Sequence, residues 1–408
     1  MRTALSVTLL LCVVHLAAQR CVTSQYIQEI KSSDISAERN IEDAESFIIT
    51  HSKAFSVSTR TLASEVIRIP VVVHVLYNSA SQNISVEQIT TQIQALNRDF
   101  RKQNSDTANT PERFKQFAAD VQLEFVLATA DPKGRPTTGV VRKYTSTTQW
   151  TMDDRIKFSS QGGDDAWDTK SYLNIWVGNT RTLLGYSSVP GGPEERDGVV
   201  INTTAFGTIN VTAPYNLGRT AVHEVGHWLG LKHIWGDTYC GNDEVDDTPQ
   251  QAGFTSGCPT GFRESCNNSE SGGDMYMNYM DFTNDECLNL FTEGQNQRMR
   301  SVFNEGGPRY PLIFSKGLDA PWSEELPTES KPSFSGFLIY PNPAANEIFF
   351  EVGGVSWIGK EVKIININGV TVRSVRITSK SQQINLQKLS SGVYFVQVDG
   401  RSKKFIKM

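Results

Sequence analysis

The sequence predicts an α/β domain followed by a small all-β sandwich, on three observations. Strand-like and helix-like patterns alternate between residues 67 and 314. Residues 320–332, rich in Pro, Ser and acidic side chains, then break the pattern. Beyond them come short segments of alternating hydrophobicity separated by turn signals. A length of 408 residues suits one large domain and one smaller one.

Taken in order, a basic start and a short apolar run to residue 18 read as a signal peptide (1–18), too short for a transmembrane helix. Arg20 directly before Cys21 disfavours a lipoprotein. Residues 19–60 are polar and Ser-rich, without strong periodicity before Ile41, and read as a propeptide rather than a folded domain. The β-branched run 67–77 is a strand, in which His74 reads as a packed residue and not a ligand. Ser85 and Gln88 form a capping box that opens an amphipathic helix with Ile89, Ile93, Leu96 and Phe100 on one face. Residues 121–127 and 172–177 read as further strands, 217–230 as a helix, and Thr292 with Gln295 cap a last helix through Phe303. These bound a catalytic domain at 61–314 and a linker at 315–336. The β-domain fills 337–408, with strands at 347–352, 361–367, 383–386 and 392–398 and a hairpin turn at Asn368-Gly369.

The chemistry is concentrated in residues 221–233, which read H-E-x-x-H-x-x-G-x-x-H. His223 and His227 are four apart, so a helix places both imidazoles on one face. Gly230 lets the chain leave the helix in a left-handed conformation, and His233 returns as a third nitrogen ligand. Three ligands with one open position is the pattern of a catalytic zinc site. Glu224 stands beside the first ligand as a general base. Three of the six histidines fall in this one window.

A net charge of −5 and the lack of a basic stripe interleaved with aromatics argue against nucleic-acid binding. Cys240, Cys258, Cys266 and Cys287 are an even set in an exported chain, which predicts two disulfides with three possible pairings. A second, cysteine-bound zinc is the rival reading, weakened by the lack of a C-x-x-C pair. Cys21 is then an odd thiol. The carboxylate-rich loop 240–249 suits Ca²⁺, the alternative being a solvated acidic loop.

The extended motif resembles that of the metzincin zinc endopeptidases, which carry a Met-containing turn beneath the metal. Residues 277–282, with Met280 as the Met, resemble that turn. Residues 216–220, 233–237, 247–249 and 279–281 resemble the pappalysin family, over roughly 67–314. The resemblance implies a metzincin-type fold with a twisted sheet above the cleft, and disulfides Cys240–Cys266 and Cys258–Cys287. It implies a structural Ca²⁺ held by Asp243 with carbonyls near Val245 and Thr248. It places an acidic residue, here Glu286, at the floor of the primed-side pocket, hence a preference for Arg or Lys after the cut. It implies that a propeptide cysteine, here Cys21, ligates the zinc of the zymogen, the alternatives being an idle thiol or an intermolecular disulfide; cleavage near Arg60, just before the first core strand, would release it. One position departs from the family: a Tyr is expected two residues after the Met, where this chain has Phe282, so a hydroxyl donor is missing. Residues 340–343, 389–394 and 403–408 resemble the C-terminal sorting domain of the type IX secretion system.

The function this predicts is a secreted, zymogenic zinc endopeptidase acting on protein or peptide substrates. It would be exported through the type IX machinery without a transmembrane segment. A binding protein on a decayed protease scaffold, motivated by Phe282, and a zinc hydrolase of non-peptide amides are the alternatives.

Overall fold

The computed structural model describes residues 19–58, 65–181, 183–321, 336–352, 357–379 and 381–408. The signal peptide, Arg60 and most of the linker therefore lie outside the described residues. The chain divides into two units, Met1–Glu324 and Glu325–Met408.

The first unit opens with β1 (Gln19–Cys21), α1 (Thr23–Ser33) and α2 (Ile35–Ser58). There follow β2 (Ile67–Tyr77), α3 (Val86–Phe100), α4 (Glu112–Lys115), β3 (Leu123–Leu127), β4 (Val140–Tyr144), β5 (Leu173–Gly178), β6 (Leu183–Ser187) and β7 (Val199–Asn202). The unit closes with α5 (Arg219–Trp228) and α6 (Glu293–Ser301).

Seven strands form one mixed sheet in the order β1-β6-β7-β5-β2-β3, with β4 also on β2. Only β6 and β7 pair antiparallel; the rest run parallel. The central strand β2 is buried from Ile69 to Leu76, which explains its apolar sequence, interrupted only by His74. His74 lies inside it, held by Asp164 at 2.7 Å and Asn174 at 3.0 Å, as a packed strand residue. Strands β4, β6 and β7 carry no clear sequence signal, being only four or five residues long.

Helix α3 starts at Ser85, whose side chain accepts from Gln88 N, and its apolar face joins the main core. It packs on the start of α5: Gln92 donates to Gly218 O at 2.9 Å, and a Cβ on Gly218 would lie 2.8 Å from that of Ala95. Arg219 fixes the first turn of α5 through buried bonds to Asp106 (2.6 and 2.9 Å) and Asp99 (3.1 Å). Such bidentate pairs fix orientation as well as position.

Residues 19–58, read from the sequence as a propeptide rather than a folded domain, form a strand and two helices. Isolated polar helices of this length are marginal, so packing must hold them. Tyr26, Ile30, Ala37, Ile41, Ala44 and Ile48 are all buried. Their spacing is a helical stripe interrupted only by the turn at Asp34.

The second unit holds β8 (Phe337–Tyr340), β9 (Glu347–Val352), β10 (Glu361–Asn366), β11 (Thr371–Arg376), β12 (Ser381–Asn385), β13 (Gly392–Val398) and β14 (Arg401–Lys407). Sheets β11-β10-β13-β14 and β12-β9-β8 enclose a core of Ile348, Phe350, Val362, Ile364, Val396 and Phe405. Alternating burial along each strand is the mark of a sandwich. Asn368-Gly369 turns β10 into β11, with Gly369 at φ 76°.

Candidate metal centre and cleft

Helix α5 is buried on every side, and it carries His223, Glu224 and His227. It ends at Trp228, and Gly230 has φ 92°. The chain turns there and brings His233 back to the helix. The Nε2 atoms of His223 and His233 lie 3.1 and 3.2 Å from that of His227. Each Nδ1 faces an acceptor: Tyr279 O at 2.7 Å, Leu231 O at 2.8 Å and Asp237 at 2.5 Å respectively for His223, His227 and His233. Each Nδ1 therefore carries the hydrogen, and three Nε2 lone pairs converge. Lone pairs at that spacing repel unless a cation sits among them, so this donor set fits Zn²⁺. Burial and the neighbouring rings hold His227 down to about 3 and His223 well below its ordinary value, which keeps these two imidazoles neutral, as ligands must be.

Met280 lies beneath the helix: a Cβ on Gly226 would meet its Sδ at 2.6 Å. Only Gly permits that approach. Phe282 packs against His223 and His233, with ring centroids 5.6 and 4.9 Å apart.

Glu224 is buried, and burial pushes its carboxyl up to about 8, against hydrogen bonds from Thr23 and Cys21. Its Oε2 accepts from Thr23 Oγ1 at 2.9 Å, while its Oε1 is buried without a protein partner. Oε2 also lies 3.5 Å from Cys21 Sγ, which is itself 3.6 Å from His227 Nε2, so Oε2 is the carboxylate oxygen on the side of the histidines.

Strand β1 occupies the cleft. It pairs parallel with β6, setting Cys21 opposite Gly185. Cys21 Sγ lies 3.6 Å from His227 Nε2 and 3.5 Å from Glu224, and groups with all three histidines within 4.8 Å. Burial and the Glu224 charge raise the thiol; a bound cation would reverse this and make it thiolate.

Arg20 enters a pocket beside the cleft and meets the buried Asp285 at 3.3 Å. Asp285 also accepts from Leu217 N at 2.9 Å and Arg219 N at 3.3 Å. Glu286 does not line this pocket. It is exposed and sits against Cys258, because the tight turn Asp285–Cys287 sends adjacent side chains opposite ways. The buried acid is one residue earlier than the sequence reading placed it. Arg20, Thr23, Asp237 and Asp285 were all missed; the basic residue beside the odd thiol was the one available signal.

Cys240–Cys266 and Cys258–Cys287 are disulfides, the pairing the resemblance implies. They staple the irregular wall below the helix. In the acidic loop, Asp243 is buried and accepts from Thr248 Oγ1 (2.8 and 2.9 Å) and Val245 N (3.2 Å). Burial pushes its carboxyl up to about 7.

Residues 157–304 match the family "Pregnancy-associated plasma protein-A", and residues 338–408 match "Secretion system C-terminal sorting domain". An extracellular metalloprotease of Verticillium alfalfae is 34% identical over 259 residues, covering 59% of this chain and 77% of that protein. The chain belongs to the pregnancy-associated plasma protein-A, or pappalysin, family of metalloproteases. An extracellular metalloprotease of Pyricularia oryzae is 47% identical over 128 residues, covering 30% of this chain and 44% of that one. Against it and a relative from Sordaria macrospora, the chain spans about half of the curated length. A solved mirolysin in complex with a compound has TM-score 0.60 and 50% identity, covering 61% of this chain and 97% of the mirolysin. A mutant of Tannerella forsythia promirolysin has TM-score 0.66 and 44% identity, covering 72% of this chain and 97% of its own. The tail is a secretion sorting domain.

Proposed function

We propose that this pappalysin-family protein is an exported zinc endopeptidase held latent by residues 19–60. The observation that carries the reading is the convergence of three Nε2 lone pairs, with Cys21 Sγ lying between them and Glu224 Oε2. His223, His227 and His233 would hold Zn²⁺, which when bound lowers the pKa of a water from about 15.7 toward about 7 and polarises a carbonyl. Glu224 takes the proton of the attacking water and returns it to the leaving amine. The edge of β6, once β1 leaves, receives the substrate as an added strand. Asp285 meets a basic side chain just after the cut, as it meets Arg20 here, so the enzyme cleaves before Arg or Lys.

Latency rests on the same contacts. Cys21 fills the open ligand position, Thr23 occupies Glu224, and Arg20 fills the basic pocket. The proform of the relative covers more of this chain than its mature counterparts do, 72% against 61%, which supports a removable segment. Removal near Arg60 opens Glu224 to water, which lowers its carboxyl from the buried value. Asp243, with carbonyls near Val245 and Thr248, binds a structural Ca²⁺; the burial that pushes its carboxyl up to about 7 supports this. The sorting domain carries the protein out through the type IX machinery, and no described helix is long and apolar enough to cross a membrane.

The test is casein digestion by the processed chain, with and without a zinc chelator. Digestion that stops on chelation and returns with Zn²⁺ is expected. No digestion by zinc-loaded, processed protein would favour the decayed scaffold that the missing hydroxyl at Phe282 suggests.

A further inference from the structure

Tyr26, in α1, reaches a hollow that the mechanism does not use. It is 2% exposed, and its hydroxyl donates to Asp154 Oδ2 at 2.6 Å. Lys157 donates to the same hydroxyl at 3.2 Å and to Asp154 Oδ1 at 2.9 Å. Tyr186 also donates to Asp154, at 3.2 Å. The Lys157 ammonium lies 5.0, 5.1 and 5.5 Å from the ring centres of Tyr26, Tyr186 and Trp176. Trp150 and Ile156 close the apolar wall. Every group here except Tyr26 belongs to the part that stays after residues 19–60 are cut away.

Lys157 and Asp154 are fully buried in the proform. When Tyr26 leaves, Asp154 loses its shortest bond and Lys157 loses one of its contacts. Asp154 keeps Lys157, Tyr186 and Arg196, and Lys157 keeps Arg196 O, but the space left by Tyr26 is walled by aromatic rings with a carboxylate oxygen and an ammonium facing it, which suits a group that is flat, apolar and hydroxyl-tipped. A phenol meets all three conditions, and the Lys157 cation favours an aromatic face.

The position relative to the cut follows from β1. Arg20 marks the pocket for the residue after the cut, at the Leu183 end of β6. The chain after Cys21 runs to the other end, where Ser187 N donates to Thr23 Oγ1 at 3.0 Å. Tyr26 lies beyond that point. A substrate with its basic residue at Asp285 must therefore present the residues before its cut on the Tyr26 side. Val22 and the first turn of α1 (Thr23 to Tyr26) separate Cys21 from Tyr26, a span of about two to three extended residues.

We propose that the hollow vacated by Tyr26 is a substrate subsite for a tyrosine side chain two to four residues before the cut, built by Asp154, Lys157, Tyr186 and Trp176. This rests on the protease reading above and adds a second specificity element to it. In the zymogen the same subsite anchors the propeptide, so Tyr26 acts as a stand-in for substrate.

The experiment uses the processed chain and a peptide series with Arg fixed after the cut and Tyr, Phe or Ala at each of the second to fourth positions before it. At one position kcat/KM is expected to fall about tenfold from Tyr to Phe and about a hundredfold from Tyr to Ala, from lost charged hydrogen bonds and then lost ring burial. The ratio of Tyr to Phe is expected to collapse toward one in Asp154→Asn. Equal cleavage of the three at every position overturns the proposal, and so does Phe equal to Tyr. A second arm needs no catalysis. The processed chain, stripped of zinc, is titrated with a synthetic peptide of residues 19–34 and its Tyr26→Phe and Tyr26→Ala forms, following the fluorescence of Trp150 and Trp176. The same rank order of affinity is expected, and equal affinities overturn the subsite. If this arm shows the order while no peptide is ever cut, the subsite stands and the protease reading fails.

Discussion

Residues 19–26 and residues 35–58 cover the same unit by different chemistry. The first stretch reaches inward with polar groups, each aimed at one partner: Arg20 at Asp285, Cys21 at the histidines, Thr23 at Glu224, Tyr26 at Asp154. The second lays an apolar stripe on the lower wall, where Ile48 fills the space over Gly230, and adds one ionic clasp. In that clasp Glu45 bridges Arg298 and Lys232 at 2.5 and 2.9 Å. Polar contacts in a dry site are specific, because each unmatched group is costly. Apolar area binds without discriminating. On the proposed function, the first stretch would block chemistry while the second supplies attachment.

The largest effect expected is from Glu224→Ala, which lowers peptide hydrolysis by about 10²–10⁴-fold while zinc stays bound, if the residue is the base proposed here and not a ligand. Metal analysis with peptide assays checks this; near-normal cleavage would refute the mechanism.

Cys21→Ala breaks the blocking half alone. Activity of the uncut proform is expected to rise roughly a hundredfold while α2 keeps the segment attached. A variant as latent as wild type, with its segment intact, would show that Cys21 is not the switch.

Asp285→Asn removes the partner that Arg20 and a substrate Arg would share. Cleavage before Arg is expected to weaken by about 2 kcal/mol or more, roughly thirtyfold, with a smaller loss before an apolar residue. An unchanged profile would move the specificity element elsewhere.

Phe282→Tyr acts on the site rather than its cover. The ring already lies against His223 and His233, so a hydroxyl there can reach a developing oxyanion. A lost donor of this kind costs about 2.7–4 kcal/mol, so regaining one is expected to raise kcat by about tenfold, less than that limit. An unchanged kcat in a folded variant would argue that the donor is supplied from another residue.

Glu45→Ala breaks only the attaching half. It is expected to weaken hold of the segment by about 1 kcal/mol, roughly fivefold in its release rate, without unmasking activity in the uncut chain. Activity appearing before release would erase the division between the two halves.

Local pattern determined much of this protein. The long apolar strand β2, the capped helices α3 and α6 and the alternating strands of the sandwich each bury a regular face, so periodicity exposes them. The three histidines and Glu224 were legible because a helix fixes their spacing and Gly230 permits the turn that follows. Only tertiary structure decided the rest. Strands β4, β6 and β7 are short, and a neighbour's hydrogen bonds define them more than their own residues do. The helices of residues 23–58 exist because a groove receives their stripe. Asp285 rather than Glu286 faces the pocket because a single tight turn orients them, and one residue of rotation carries no signature in sequence. Arg20 meets Asp285 across 265 positions, and Tyr26 meets Asp154 across 128. Pairings over such separations depend on where the whole chain folds, since nothing local to either partner specifies the other.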